Sequence, residues 1–125
     1  MCIRDRPDKG AAPINADAVK TSAGAIFNIP ICKERFLDRA VSFLKESGLK
    51  SVAATEKTNT DLYQADFKEP TVLIMGAEDT GVSDAVLKVC DARAAIPLAG
   101  EIGSLNVSVA AGICLYEAVR QRSLA

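Results

Sequence analysis

The sequence predicts an α/β fold in which helices flank a mostly parallel sheet. A continuous apolar run at 71–75 ends at Gly76, which is typical of a strand buried on both faces near the centre of such a sheet. Residues 34–47 have the pattern of an amphipathic helix. Further short strand and helix patterns alternate along the chain, which is the order of βαβ units. The length of 125 residues suits one domain.

The start of the chain shows no periodicity. Residues 1–7 lead into a turn signal, and we expect them to form a loose segment that need not be native sequence. We expect residues 8–125 to form the domain. Its first element is a short helix, for which Asn15 is a candidate N-cap and which ends near Gly24.

The middle of the chain predicts two strands separated by a helix. Residues 25–31 are rich in β-branched and aromatic side chains, but Pro30 removes a ladder donor and restricts this strand to an edge or an end. The amphipathic helix at 34–47 follows, and Gly48 supplies its stop. Residues 50–55 then predict a strand, which a polar loop follows.

The last third of the chain predicts two strands and two helices. After the apolar run, which we expect to be the central strand, a short helix at 82–90 begins near Ser83 or Asp84, and residues 94–97 form a brief last strand. The final helix has Ser104 as its candidate N-cap. Its apolar residues recur at helical spacing and predict that this helix is buried: Leu105, Val109, Ile113, Tyr116 and Val119.

Charge and cysteine content exclude several classes of function. Fifteen basic and sixteen acidic residues give a net charge of −1, so an RNA partner would depend on a local basic patch. The chain has no histidine, and its four cysteines form no Cys-x-x-Cys pair, which argues against a zinc site or a Cys–His nucleophile and predicts no metal. We expect reduced thiols in the cytoplasm. The apolar runs are shorter than the roughly 20 residues of a membrane span.

Two loops at the expected carboxyl ends of strands, 76–81 and 98–106, have an unusual content. In open parallel sheets, ligands collect at these ends. The loop 76–81 has glycines at both ends, but Glu78 and Asp79 make it a poor phosphate cradle. The sequence has neither a Gly-x-Gly-x-x-Gly nor a Gly-Lys-Ser/Thr motif. A nucleoside without a pyrophosphate, such as S-adenosylmethionine, therefore remains as the guest.

Each of these loops also has a purely structural interpretation. The loop at 76–81 could be a plain strand-to-helix turn with a solvated carboxylate. At the start of the final helix, Ser104 could serve only as a cap, and Asn106 and Ser108 could serve only to satisfy the first turn. Residue spacing alone leaves both interpretations open.

Three segments in the same order resemble a known family. Residues 104–108, Ser-Leu-Asn-Val-Ser, follow Ala-Ile-Pro-Leu-Ala-Gly at 95–100 and resemble the third motif of the SpoU family of RNA ribose 2′-O-methyltransferases, in the SPOUT superfamily. Residues 72–81 resemble its second motif, and residues 20–31 resemble the segment between its first and second motifs. The similarity runs over about 8–122. The first motif, Asn-x-Gly-x-x-x-Arg, is absent, so the resemblance is to the C-terminal portion of the methyltransferase domain.

The resemblance implies a fold, an activity and partners. The fold would be Rossmann-like with a C-terminal trefoil knot. The activity would be S-adenosylmethionine-dependent 2′-O-methylation of a ribose in RNA, most naturally a guanosine of 23S ribosomal RNA, with transfer RNA as the other substrate. The protein would be a cytoplasmic homodimer that binds RNA and pairs through helices beside the cofactor site.

The resemblance also assigns roles to residues. Backbone groups around Gly76, Ile96 and Leu105 would hold the adenosine moiety. Apolar side chains would wall the base, and the glycine loop would complete the cofactor site, which gives the cofactor-binding set Gly76, Gly81, Ile96, Leu98 and Leu105. Glu78 and Asn106 would lie nearer the reacting end, and Ser104 would orient the loop or contact the target ribose. These three form the catalytic set.

Two other functions remain open from the sequence. The absent first motif removes the family's arginine, and Arg4 and Arg6 do not replace it because no Asn-x-Gly precedes either. This favours a catalytically inactive, truncated module for cofactor binding or dimerisation. A small Rossmann-like oxidoreductase is the third interpretation, and the absent glycine fingerprint argues against it.

Overall fold

The computed structural model describes residues 4–7, 14–77, 80–100 and 105–124. The chain divides into two compact units, Met1–Ala40 and Val41–Ala125. In the described part of the chain, no helix has both the length and the apolar content needed to cross a membrane.

The first unit contains a two-stranded parallel sheet and a short helix. Strand β1 (Arg4–Pro7) pairs with β2 (Ile31–Glu34) over all four residues. The sequence predicts a loose segment before residue 8, so the pairing of β1 differs from that expectation. Helix α1 (Ala16–Thr21) begins as predicted at Asn15, whose Oδ1 accepts a hydrogen bond from the Ala18 backbone N–H at 3.1 Å.

The strand predicted at 25–31 is wrong over most of its length. A 3₁₀ turn occupies Ala25–Asn28, and β2 begins only after Pro30. The turn is favoured by local hydrogen bonds, because Gly24 has φ +82° and its carbonyl accepts from the Phe27 N–H at 3.1 Å. Proline has no backbone N–H to donate, so regular pairing starts on its far side.

Helix α2 (Leu37–Glu46) ends where the sequence predicts. Gly48 has φ +100°, and the N–H of Leu49 reaches back to the carbonyl of Leu44 at 3.1 Å. This six-to-one bond is the signature of a Schellman ending, which needs the left-handed conformation that glycine adopts without strain.

The second unit is built on a three-stranded parallel sheet of order β4-β3-β5. Its strands are β3 (Lys50–Ala54), β4 (Thr71–Ile74) and β5 (Ala92–Ala94). The predicted α/β class with a parallel sheet is confirmed. The prediction that β4 is the central, fully buried strand is wrong, because β3 is central among the described strands and only Ile74 of β4 is buried. In β3, by contrast, Ser51, Val52 and Ala53 are all buried, and side chains of this size let neighbouring elements pack closely on the strand.

The segment between β3 and β4 contributes buried residues that the sequence pattern hides. Leu62 and Phe67 are each 1% exposed, although residues 61–67 show no period. A 3₁₀ turn at Leu62–Gln64 places them there, and Asp61 starts this turn with a capping box, since its Oδ1 accepts from the Tyr63 N–H at 2.9 Å. The main core cluster contains these two residues together with Val52, Ala65, Ala94 and Cys114.

Strand β5 lies two residues earlier than predicted. The sequence predicts 94–97, whereas β5 spans Ala92–Ala94. Ala95 is already bonded to the preceding loop, because its N–H donates to Thr60 O at 2.9 Å and its carbonyl accepts from the Leu62 N–H at 2.7 Å. Pro97 then has no N–H with which to continue a ladder. Helix α3 (Asp84–Val89) has Ser83 as its N-cap, as predicted.

The final helix, α4 (Val107–Ser123), exposes most of its large apolar side chains, although Ile113 packs against the main core cluster. The prediction of a buried apolar stripe is wrong, because Tyr116 is 77% exposed and Val119 is 57% exposed. The face against the core carries Cys114, Glu117 and Gln121, which are buried. Helical spacing shows that residues share a face, but it does not show which face is buried. The buried face of α4 can contain polar side chains because hydrogen bonds satisfy them.

Candidate functional site

The loop after β4 folds back on itself. Ala77 and Gly81 form an antiparallel bridge, in which the Gly81 N–H donates to Ala77 O at 2.8 Å and the Ala77 N–H donates to Gly81 O at 3.3 Å. Gly81 has φ +70°, a conformation that side chains other than glycine rarely adopt. Glu78, a predicted catalytic residue, lies outside the described residues. The bridge therefore fixes the two ends of the predicted glycine loop.

Gly76 is required by close backbone packing within this loop. A Cβ atom built on Gly76 would lie within 2.7 Å of the carbonyl carbon and Cα of Gly81 and of the nitrogen of Val82. These are backbone atoms, which cannot move aside as a flexible side chain can. Val82 is buried and holds the end of the loop in place. Gly76 therefore has a structural reason to be glycine, in addition to any contact with a ligand.

The second predicted loop follows β5. Ile96 is half-buried and packs against the main core cluster, and Leu98 is 38% exposed. Among the described residues, no partner forms a hydrogen bond with the backbone of Ile96 or Leu98. The loop thus exposes apolar surface at Leu98.

The sheet register brings these two loops to the same edge. Ile74 pairs with Ala53 and Ala94 pairs with Ala54, so β4 and β5 end at nearly the same level on either side of β3. Gly76 and Ile96 each follow the end of a strand by two residues. With neighbouring strands about 4.8 Å apart, the two strand ends are separated by about 10 Å. The structure therefore gathers two of the predicted cofactor residues at the carboxyl edge of the sheet.

The start of α4 carries the remaining predicted residues. Leu105 is 38% exposed, and Asn106 is the N-cap, since its Oδ1 accepts from the Ser108 N–H at 2.9 Å and from Ser108 Oγ at 2.8 Å. The helix begins at Val107, so the capping role predicted for Ser104 belongs to Asn106. Ser104 itself lies outside the described residues.

Cavities in the described part of the chain lie elsewhere. One of about 620 Å³ lies beside β5, and one of about 350 Å³ lies between α4 and residues 63–68. Neither is lined by Gly76, Ile96, Leu98 or Leu105. Gly76 and Gly81 thus lie in the segment after β4, and Ile96 and Leu98 lie in the segment after β5.

A buried polar network that the sequence analysis missed anchors α4. Glu117 is 5% exposed and forms two hydrogen bonds with the Arg120 guanidinium, at 2.7 and 2.8 Å. The Arg120 bonds, followed by one from Gln121, lower the pKa of Glu117 to about 2. Arg122 extends the network outward, with Nε on Phe67 O at 2.9 Å and Nη2 on Glu69 O at 3.0 Å. The signal in the sequence was the placement of Glu117 and Gln121 on the helical face of Cys114.

Two of the described cysteines are shielded from solvent, Cys90 in part and Cys114 fully. Burial raises the pKa of both the Cys90 and Cys114 thiols, which keeps them protonated at neutral pH. No cluster of three or more potential metal-ligating Cys, Asp or Glu residues occurs within the ranges that the structure describes.

The sequence matches one family model over most of its length. Residues 6–116 match the SpoU rRNA Methylase family. A relative from Ralstonia nicotianae, named 23S rRNA (guanosine-2′-O-)-methyltransferase RlmB, is 41% identical over 118 residues, which is 94% of this chain and 47% of the relative. An uncharacterized tRNA/rRNA methyltransferase of Synechocystis is 43% identical over 93% of this chain and 30% of the relative.

Solved structures show the same similarity. The SpoU methyltransferase AviRb from Streptomyces viridochromogenes, in complex with AdoMet, superposes with a TM-score of 0.86 at 31% identity, over 97% of this chain and 50% of that chain. The A. aeolicus TrmH/SpoU tRNA modifying enzyme superposes with a TM-score of 0.82 at 31% identity, over 98% of this chain and 62% of that chain. The chain spans about half the length of the curated RlmB relatives that it matches.

Proposed function

The chain belongs to the SpoU rRNA Methylase family, and from this premise we propose that it takes part in S-adenosylmethionine-dependent 2′-O-methylation of a ribose in RNA. The observation that carries the proposal is the match of residues 6–116 to the family, which includes both loops at the carboxyl edge of the sheet. The proposed substrate is a guanosine of 23S ribosomal RNA, as in the names of the RlmB relatives, with transfer RNA as the alternative. The proposed location is the cytoplasm.

The residues at the carboxyl edge fit an adenosine-bearing cofactor. Ile96, Leu98 and Leu105 supply apolar surface of the kind that contacts a base, and the backbone groups of Ile96 and Leu98 would recognise its polar edge. Gly76 and Gly81 would form the facing wall, because their loop is closed by backbone packing and presents no Cβ atom at either glycine. These five residues would hold S-adenosylmethionine.

The proposed chemistry depends on the positioning of a ribose hydroxyl. When bound, S-adenosylmethionine supplies a methyl group activated by its sulfonium. Asn106 and Ser104 would orient the 2′-hydroxyl, with Glu78 near the same end, and positioning of this kind can supply a large part of the rate. Asn and Ser are poor general bases at neutral pH, so the proton of the hydroxyl needs another acceptor.

The outer face of α4 supports a homodimer. At 100° per residue, its exposed apolar side chains fall within an arc of about 120°, opposite the buried Glu117 and Gln121. They are Val109, Leu115, Tyr116 and Val119, each more than half exposed. A second copy of the chain is the proposed occupant of this apolar stripe, which would place the dimer contact beside the start of α4.

Titration calorimetry tests the cofactor half of the proposal. We expect the chain to bind S-adenosylmethionine and not NAD, because the loop at 76–81 lacks the dinucleotide fingerprint. Binding of NAD alone would contradict the proposal and favour an oxidoreductase.

The second candidate is an inactive cofactor-binding or dimerisation module. It is favoured by the absence of Asn-x-Gly-x-x-x-Arg from the sequence. Methyl transfer to unmodified ribosomal RNA should be measured with this chain and with a version extended upstream. Activity of the extended version supports the methyltransferase, whereas cofactor binding without activity in both supports the module.

A further inference from the structure

The cavity beside β5, here called the β5 groove, is bordered by three cations from three different elements. Lys50 begins β3, Lys88 lies near the end of α3, and Arg93 is the middle residue of β5. The volume of the groove is about 620 Å³. Thr58 and Thr60 also line it. Of the described residues in the two rim loops, 76–77, 80–81 and 96–98, none contributes to its wall.

The three cations have no acidic partner among the described residues. The ion pairs found there join Lys45 to Asp91, Lys57 to Asp84 and Arg120 to Glu117. Lys50, Lys88 and Arg93 take part in none of them. In a chain whose net charge is −1, the β5 groove therefore concentrates unneutralised positive charge.

The acidic residues of the groove offset this charge only in part. Asp91 is already engaged, because its Oδ2 accepts from the Ser51 N–H at 2.9 Å and Ser51 Oγ at 3.1 Å, and its Oδ1 lies 3.3 Å from Lys45 Nζ. The bond from the Ser51 backbone is the main cause of its lowered pKa. Asp66 forms no ion pair with any described residue, and its Oδ1 accepts from the Lys68 backbone N–H at 2.9 Å. Three unpaired cations thus face one unpaired carboxylate.

The threonines add hydrogen-bond donors. Thr58 Oγ1 accepts from the Thr60 N–H at 3.2 Å, which leaves the hydroxyl proton of Thr58 able to donate outward. Cations on short rigid elements together with hydroxyl donors are the groups that proteins use to contact phosphates.

We propose that the β5 groove binds the phosphodiester backbone of RNA at a surface separate from the loops that would hold the cofactor. The choice of RNA as the source of the phosphates rests on the proposed function. The groove would position RNA without reading its sequence, because phosphate contacts carry no base information.

The salt dependence of RNA binding tests the proposal. The parent chain and the triple variant Lys50→Gln, Lys88→Gln, Arg93→Gln are titrated into a fluorescent single-stranded RNA at several salt concentrations. Loss of three phosphate contacts should lower the slope of log affinity against log salt by about 2. The control triple Lys20→Gln, Lys33→Gln, Arg35→Gln removes the same charge from exposed positions of the first unit and should leave most of the slope in place. An equal effect of both triples, or of neither, overturns the proposal.

A variant that should strengthen RNA binding excludes misfolding as the explanation of the result. Asp66→Asn removes the unpaired carboxylate but keeps an oxygen that can accept from the Lys68 N–H. RNA affinity should rise several-fold at low salt, which loss of folding cannot produce. Unchanged or weaker binding by this variant contradicts the proposal.

Competition experiments distinguish RNA from other anions that could bind the β5 groove. ATP, inorganic phosphate and polyglutamate are added to the complex of the chain with RNA. Displacement by ATP or phosphate at the same phosphate concentration as unlabelled RNA overturns the polynucleotide assignment, and displacement by polyglutamate overturns it in favour of an acidic protein. Calorimetry with S-adenosylmethionine on the same variants distinguishes failure of the proposed function from failure of the β5 groove proposal. Loss of cofactor binding would contradict the proposed function, but it would not change the salt dependence of RNA binding.

Discussion

Gln121 presents both ends of its side-chain amide to the backbone near Phe67. Its Oε1 accepts from the Phe67 N–H at 2.8 Å, and its Nε2 donates to the carbonyl of Ala65 at 2.8 Å. The amide thus takes the place that a neighbouring strand would occupy in a sheet. Because Gln121 is 8% exposed and Phe67 is 1% exposed, these bonds are shielded from water and fix the C-terminal part of α4 on the core.

Replacement of Gln121 by Leu should destabilise the fold. The change leaves the buried Phe67 N–H and Ala65 carbonyl without partners, at a cost of about 1–3 kcal/mol for each group. Urea unfolding followed by circular dichroism measures the difference. The control is Asn59→Leu, the same kind of replacement at an exposed residue, which should change stability by less than about 0.5 kcal/mol. Equal effects of the two variants would contradict a special role for the Gln121 amide.

The Glu117 carboxylate predicts a specific loss of stability in acid. Its pKa is lowered from 4.5 to about 2 by the Arg120 and Gln121 hydrogen bonds, so its contribution is complete above pH 4.5 and disappears as the pH falls toward 2. Glu117→Gln should be less stable than the parent at pH 7, and the gap should narrow below pH 4.5. Urea unfolding across this pH range checks it. Glu46→Gln, at an exposed position of α2, should keep the parent's pH profile, and a constant gap for Glu117→Gln would sink the assignment.

The α/β class could be predicted because strand and helix patterns alternate and because local signals are strong at Asn15, Gly48 and Ser83. Position within the fold was harder to predict. An apolar run indicates a strand, but it does not show that the strand is central. The central strand is β3, in which the polar residue Ser51 is buried because it forms hydrogen bonds with Asp91. The orientation of α4 was predicted wrongly for a similar reason, since its buried face carries Glu117 and Gln121 beside Cys114, while Tyr116 and Val119 are exposed on the opposite face.

The candidate site could be predicted as two loops at the carboxyl edge, because that follows from parallel topology and glycine placement. The structure confirms that β4 and β5 end at this edge, and the cofactor and catalytic roles of the individual residues stay predictions. The packing of Gly76 against Gly81 could not be foreseen, because it depends on the path of the loop. The β5 groove could not be predicted either, because Lys50, Lys88 and Arg93 come from distant parts of the sequence and form no local pattern.

Gly76→Ala should disrupt the first rim loop. The added methyl group would lie within 2.7 Å of backbone atoms of Gly81 and Val82, and overpacking of this kind costs about 1–3 kcal/mol. S-adenosylmethionine binding should be lost or strongly weakened in calorimetry. Gly112→Ala is the control, because outside the adjoining backbone of α4 no described atom lies within 4 Å of its added methyl group, and alanine favours a helix by about 1 kcal/mol. Retention of full cofactor affinity in Gly76→Ala would remove this loop from the proposed site.

The apolar stripe on α4 predicts a change in oligomeric state. Tyr116→Ser combined with Val119→Ser should convert a dimer into a monomer, because both side chains are more than half exposed in the single chain and would be buried between two copies. Sedimentation velocity measures the state over a range of concentrations. Phe27→Ser changes a side chain that is 76% exposed in the first unit and should leave the dimer intact. A parent chain that stays monomeric at every concentration contradicts the proposed dimer.

Asn106 allows its role as a cap to be separated from the chemistry proposed for it. Asn106→Asp keeps an oxygen that accepts from the Ser108 N–H, so stability should stay within about 0.5 kcal/mol of the parent, whereas Asn106→Ala should lose about 1 kcal/mol. If the side-chain N–H group orients the ribose hydroxyl, both variants should lose methyl transfer in the version extended upstream, by at least about 10²-fold. Thermal unfolding and methyl transfer to unmodified ribosomal RNA are measured side by side. Full activity of Asn106→Asp would restrict this residue to its capping role.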